Sequence, residues 1–168
     1  MKAYTKRIIL FFIIILSIVT LDIITKVLIG NITKTLDAGD SISVIDGIFS
    51  FVHVHNYGAA FGILQDSRIF FIIMTIIMFT VLLIIEFKLK INNFWYKAAF
   101  ILIFSGAMGN FIDRVFFGYV RDFIKLDFIN FAIFNIADSA LTIGTICAFI
   151  YVLFYYSNLG AKNDISSK

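Results

Sequence analysis

Residues 69–85 read IFFIIMTIIMFTVLLII, seventeen positions in a row without a charge, an amide or a turn-forming residue. At about 1.5 Å per residue, a helix of this length covers most of the roughly 30 Å of hydrocarbon in a bilayer. A helix that is apolar all round belongs in lipid or in the centre of a large protein, and 168 residues are too few for the second. Three further apolar stretches lie at 8–29, 98–112 and 139–159. The predicted architecture is therefore an all-α membrane protein of four transmembrane helices, one domain over residues 1–168, with a disordered tail at about 161–168. Composition agrees, because 61% of the chain is hydrophobic where soluble domains average about 45–50%, and the mean hydropathy is +0.98. There is no proline, so no helix is kinked by one.

The first span follows Lys2, Lys6 and Arg7, as a secretory signal would, but it is long, carries Asp22 and Lys26 near its far end, and is followed by no small-x-small cleavage site. It reads as a retained helix. Cationic residues then orient the chain. Lys2, Lys6, Arg7, Lys88, Lys90, Lys97, Lys162 and Lys168 fall on one side, against Lys34, Arg68, Arg121 and Lys125 on the other, so both termini are expected in the cytoplasm. A net charge of +3 without a basic face excludes nucleic acid as a partner. Cys147, inside an apolar run, has no second cysteine to pair with and reads as core.

This orientation gathers the unusual polar residues at the outer helix ends: Asp22 and Lys26, then Asn110, Asp113 and Arg114, then Asn135 and Asp138. Asp122, in the loop Val120-Arg121-Asp122-Phe123, sits among apolar neighbours. Ionisable groups at a membrane boundary are costly unless paired or used. Asp22 and Lys26, four apart, share a helix face and read as an ion pair or as direct participants in chemistry. Asn110 and Arg114 are also four apart and are expected to project together. Asn135 with Asp138 fits a helix capping box as well as it fits a site. Residues 49–55 and 123–128 are β-branched, aromatic and partly alternating, which predicts a small extracytoplasmic sheet over the site. The stretch from Asn56 to Gly62 is a glycine-punctuated turn that brings backbone near a ligand or simply reverses the chain. His53 and His55 would share a strand face, but with no third ligand in view no metal is expected there.

Five separated blocks carry a resemblance: Asp22-Ile23-Ile24-Thr25-Lys26, Asn56-Tyr57-Gly58-Ala59-Ala60-Phe61, the run from Gly106 to Arg114, Val120-Arg121-Asp122-Phe123, and Phe134-Asn135-Ile136-Ala137-Asp138-Ser139. In this order the chain resembles the lipoprotein signal peptidases, or signal peptidase II, the membrane aspartic proteases of bacteria. That resemblance implies removal of the signal peptide from diacylglyceryl-modified prolipoproteins, on the amino side of the lipidated cysteine, at the bacterial cytoplasmic membrane. It implies that Asp122 and Asp138 form the catalytic pair. By the same resemblance Asn56, Asn110, Arg114 and Asn135 hold or orient substrate, and Asp22, Lys26 and Asp113 support the site. Two departures are visible. Ala132 stands where relatives commonly have proline, and the connection between the two aspartates is a little short.

Peptide hydrolysis by two carboxylates needs one ionised and one protonated group, and neither a cofactor nor a metal. Asp138, at a helix N-terminus, is expected to be the ionised partner, and Asp122, among apolar residues, the protonated one. Membrane lipid and the prolipoprotein are the expected partners. The alternative reading is a small proton- or ion-coupled transporter or a lipid-binding protein, against which the acidic residues cluster at one face instead of running through the bilayer.

Overall fold

Each of the four apolar runs is a helix in the computed structural model, which describes residues 2–37, 40–59 and 63–166. α1 spans Lys2–Thr33, α2 Arg68–Leu89, α3 Phe94–Phe116 and α4 Ile136–Ser166. All four are long and apolar enough to cross a membrane. They outrun the apolar stretches at both ends because a helix continues past hydrocarbon until its end groups are satisfied. α3 starts at Phe94 because Asn93 caps it, its Oδ1 accepting from the backbone of Trp95 at 2.9 Å and of Tyr96 at 3.2 Å. α2 stops where Lys90 turns left-handed, at φ 47°. α4 remains helical into residues 161–166, where the sequence suggested a disordered tail.

α3 is the central helix, and among the described residues its most extensive helix–helix packing is with α4. Van der Waals fit rather than hydrophobicity drives helix association in lipid, so small residues decide where backbones can meet. A Cβ on Gly106 would lie 2.4 Å from the Ala137 carbonyl oxygen, and one on Gly109 2.4 Å from Asp22 Oδ2. Gly144 meets Ile103 in the same way, at 2.8 Å. α2, by contrast, buries no residue. It rests on α3 through Phe79, whose ring lies 4.5 Å from that of Phe104 and 5.9 Å from that of Phe111.

Three strands, β1 (Ile42–Ile45), β2 (Phe49–Asn56) and β3 (Val120–Leu126), form one antiparallel sheet in the order β1-β2-β3. Since β1 and β2 link α1 to α2 and β3 links α3 to α4, the sheet sits at one end of the bundle. Two strands lie close to where the sequence placed them. β3, however, begins at Val120, so Asp122 is on a strand and not in a loop, and Asp127 and Phe128 fall beyond its end. The sequence reading omits β1, although β-branched residues followed by Asp46-Gly47, with Gly47 at φ 72°, are a hairpin signal.

Register then assigns faces. Phe51 pairs with Ile124 and Val54 with Asp122, three steps on β2 against two on β3, so Val52 and His53 together oppose Phe123 in a bulge. Beyond it Val54 and Asp122, and then Asn56 and Val120, share one face, while His55 and Arg121 share the other. Phe134 bridges to β3: its N–H donates to Ile124 O at 3.1 Å, and its carbonyl accepts from Phe123 and Ile124 at 3.2 and 2.8 Å. The entry into α4, with Ala132 two residues upstream, is therefore fixed against the strand that carries Asp122.

Candidate active site

A buried ion network underlies the site. Asp22 and Lys26 pair along α1 at 2.8 Å, as their spacing suggested, and both are 1% exposed. The Lys26 ammonium also lies 3.3 Å from Asp113 Oδ2 and donates to Asn110 Oδ1 at 3.1 Å. Asp113 in turn accepts from Arg121 three times, from the backbone N at 3.0 Å, Nε at 3.2 Å and Nη2 at 2.7 Å. Two carboxylates and two cations thus neutralise one another out of water, the condition under which buried charges persist. The second oxygen of Asp22 accepts from the Ala137 N–H at 2.9 Å, so a side chain of α1 caps the start of α4.

The other two carboxylates stand on this base. Asn135 and Asp138 form a reciprocal capping box: the Asp138 N–H donates to Asn135 Oδ1 at 2.9 Å and the Asn135 N–H to Asp138 Oδ2 at 3.1 Å. The box leaves the Asn135 amide free to reach Asp122 Oδ1 at 2.7 Å and Asn110 Oδ1 at 3.1 Å. Asn110 Nδ2 donates to Asp138 Oδ1 at 2.7 Å. Asn56, diagonal to Asp122 across β2 and β3, donates to Asp122 Oδ2 at 2.9 Å. Each carboxylate is therefore held by two donors, and Asn110 and Asn135 bridge one to the other. Burial, and then the negative charge of Asp138, push the Asp122 carboxyl from its ordinary 3.8 up to about 7, against the opposing hydrogen bonds of Asn56 and Asn135 and the charge of Lys26.

Arg114 behaves differently from Asn110, with which it was expected to project. Its Nη2 donates to the Gly58 carbonyl at 3.0 Å and its guanidinium lies 4.6 Å from the Phe71 ring centroid. It ties down the turn after β2, which Asn56 closes by accepting the Gly58 N–H at 2.9 Å. A Cβ at Gly58 would lie 2.5 Å from Ile63 O, so this turn requires glycine. Ala60, Phe61 and Gly62 of the predicted turn lie outside the described residues. Sequence reasoning missed two contributors. Arg121 is the outward neighbour of Asp122, and strand alternation sends it to Asp113. Arg68 caps α3, donating to the carbonyls of Arg114 and Val115, each at 2.8 Å. His53 and His55 do share a face, and burial followed by the nearby His53 and Arg121 lowers the His55 pKa below the usual imidazole range. Among the described residues no group of three or more His, Cys, Asp or Glu side chains is placed to hold a metal ion.

Four membrane-crossing helices with two carboxylates bridged by asparagine side chains at one end define a class, the polytopic membrane proteins with a buried polar cluster at one end of the bundle. A family model described as signal peptidase (SPase) II matches residues 14–154. The lipoprotein signal peptidase of Enterococcus faecalis is 38% identical over 149 residues, which cover 89% of this chain and 91% of that one. That of Streptococcus agalactiae serotype Ia is 44% identical over 138 residues, covering 82% and 88%. Two solved structures described as bacterial membrane enzymes, each 41% identical, superpose with TM-scores of 0.81 and 0.75. The first covers 88% of this chain and 90% of its own, the second 85% and 92%. The chain belongs to the signal peptidase II family, whose members are membrane proteases of the aspartic type.

Proposed function

We propose that this protein removes the signal peptide from diacylglyceryl-modified prolipoproteins, cutting on the amino side of the lipidated cysteine, with Asp122 and Asp138 as the catalytic pair. The observation that carries the assignment is the bridge of Asn110 and Asn135 between the two carboxylates. Close carboxylates resist double ionisation and share one proton. Asp122, pushed up to about 7, is suited to hold it near neutral pH. Asp138 then takes a proton from water as the water oxygen attacks the scissile carbonyl carbon, while Asp122 gives its proton to the carbonyl oxygen. In the second half Asp138 returns its proton to the leaving amide nitrogen, and Asp122 recovers one from the gem-diol. Neither half needs a metal or a cofactor. Asn56, Asn110 and Asn135 aim the carboxylates and present polar atoms to substrate backbone. Arg114 positions the Gly58 turn against which the peptide lies, and Asp22, Lys26 and Asp113 brace the helix ends beneath.

The cationic asymmetry of the connections supports a cytoplasmic-membrane location with both termini in the cytoplasm and the carboxylates near the outer leaflet. There the two acyl chains of the substrate stay in lipid while the peptide reaches the pair; no nucleic acid takes part. Incubating the purified protein with lipidated and unlipidated forms of one precursor tests this reading by mass spectrometry. The lipidated form should yield a product beginning at the modified cysteine, and the unlipidated form should be cut far more slowly. Equal rates would remove the lipid requirement, and no product from a folded sample would remove the activity.

A further inference from the structure

β2 presents two imidazoles that the acid–base chemistry does not use. His53 and His55 leave the exposed face of the strand with their Nε2 atoms 3.1 Å apart. The tautomer of His53 follows from its neighbour. Thr33 Oγ1 donates its single proton to the Ile29 carbonyl at 2.7 Å, so toward His53 Nδ1, 3.2 Å away, it can only accept. His53 therefore carries its proton on Nδ1 and turns a bare Nε2 lone pair toward His55. His55 is held from its other side, stacked on Tyr119 with centroids 4.0 Å apart and planes 26° apart. α1 thus orients the His53 ring through a hydrogen bond at Nδ1, the outer support that metal-binding histidines use, and stacking on the loop after α3 holds the His55 ring.

Imidazole nitrogen binds first-row metal ions at about 2.0–2.1 Å, and with the two nitrogens 3.1 Å apart an ion at that distance from both makes an N–metal–N angle of about 98°. This is near the right angle between adjacent sites of a tetragonal complex and well short of a tetrahedral one. We propose that His53 and His55 form a bidentate imidazole site for a tetragonal divalent transition-metal ion, Cu2+ or Ni2+, on the exposed face of β2. The site is separate from the carboxylate pair, which lies across the strand, and it does not rest on the peptidase reading. The ion replaces the Nε2 proton that His55 turns toward His53; that proton moves to His55 Nδ1, so both imidazoles bind neutral through Nε2, and water fills the remaining positions. Of the two ions Cu2+ binds such nitrogens more tightly.

Titrating Cu2+ into the tag-free full-length protein in detergent micelles, followed by calorimetry and electron paramagnetic resonance, tests the site. One Cu2+ per chain should bind with two equatorial nitrogens. His53→Ala and His55→Ala should each abolish equimolar binding while melting like the parent. Thr33→Val, which removes the hydroxyl that orients His53, should weaken binding about 10–100-fold, and Thr33→Ser should restore it. No equimolar binding by the parent, or binding unchanged in both histidine variants, would overturn the proposal. Parent-like affinity in Thr33→Val would overturn the tautomer on which the geometry depends.

Discussion

Replacing Asp122 by asparagine should abolish cleavage and, at alkaline pH, make the protein more stable. The residue is 3% exposed, and its carboxyl is pushed from 3.8 to about 7. A carboxyl whose pKa is higher folded than unfolded binds its proton more tightly in the fold. Its contribution to stability is therefore best below pH 3.8 and is lost as pH rises toward 7. At about 1.4 kcal/mol per unit the whole shift costs about 4 kcal/mol at pH 8, of which about 2–3 kcal/mol arises between pH 5 and pH 8. An amide does not ionise and escapes this cost. It has one acceptor oxygen, however, where the carboxylate accepts from Asn135 at 2.7 Å and Asn56 at 2.9 Å. The unmatched donor costs about 1–3 kcal/mol at every pH. The variant should then be close to the parent at pH 5 and more stable by about 1–3 kcal/mol at pH 8, several degrees in melting temperature for a chain of this size. Thermal unfolding of both proteins in one detergent at pH 5, 6.5 and 8, with cleavage measured alongside, checks this. A stability gap that does not widen with pH, or measurable turnover by the variant, refutes the reasoning.

Turnover by the parent should fall as pH rises through about 7, because Asp122 loses the proton it donates; a rate that is level from pH 6 to 9 would exclude it as the acid. Asp113→Ala leaves Lys26 and Arg121 short of their shared partner and should lower stability by about 3–5 kcal/mol. Arg114→Ala releases the Gly58 turn and the Phe71 contact and should raise KM with a small change in melting temperature, so identical defects in the two variants would count against this division of roles. Gly109→Ala drives a methyl group against Asp22 of α1 and Ala137 of α4 and should cost about 1–3 kcal/mol through the contacts of α3 with both helices, read as a lowered melting temperature. Chelators should leave turnover intact, and loss of activity restored by Zn2+ would overturn the aspartic mechanism.

Hydropathy is a local property, so the four spans and the polar blocks at their ends were legible residue by residue. Alternation likewise placed β2 and β3. The same residues left several roles open that only the tertiary structure decides. Asn135 and Asp138 read equally well as a cap or a site, and the fold shows that the cap does not exclude the other: the box uses the Asn135 backbone N–H and side-chain oxygen, leaving its Nδ2 to reach Asp122. Asp22 pairs with Lys26 by helical spacing, yet its contact with the Ala137 N–H joins residues 115 apart in sequence, and no local pattern encodes it. Helical spacing also set Asn110 and Arg114 on one face, but spacing fixes only the direction of a Cβ. A long guanidinium goes where an acceptor lies, and that acceptor, Gly58 O, arrives from a different connection of the chain. Sequence by itself determined which residues end the apolar spans, because transfer from water to lipid is summed over a single segment. Which of them touch was decided by the close approach of α3 and α4 and the register of β2 on β3, because those contacts depend on segments that meet only in the fold.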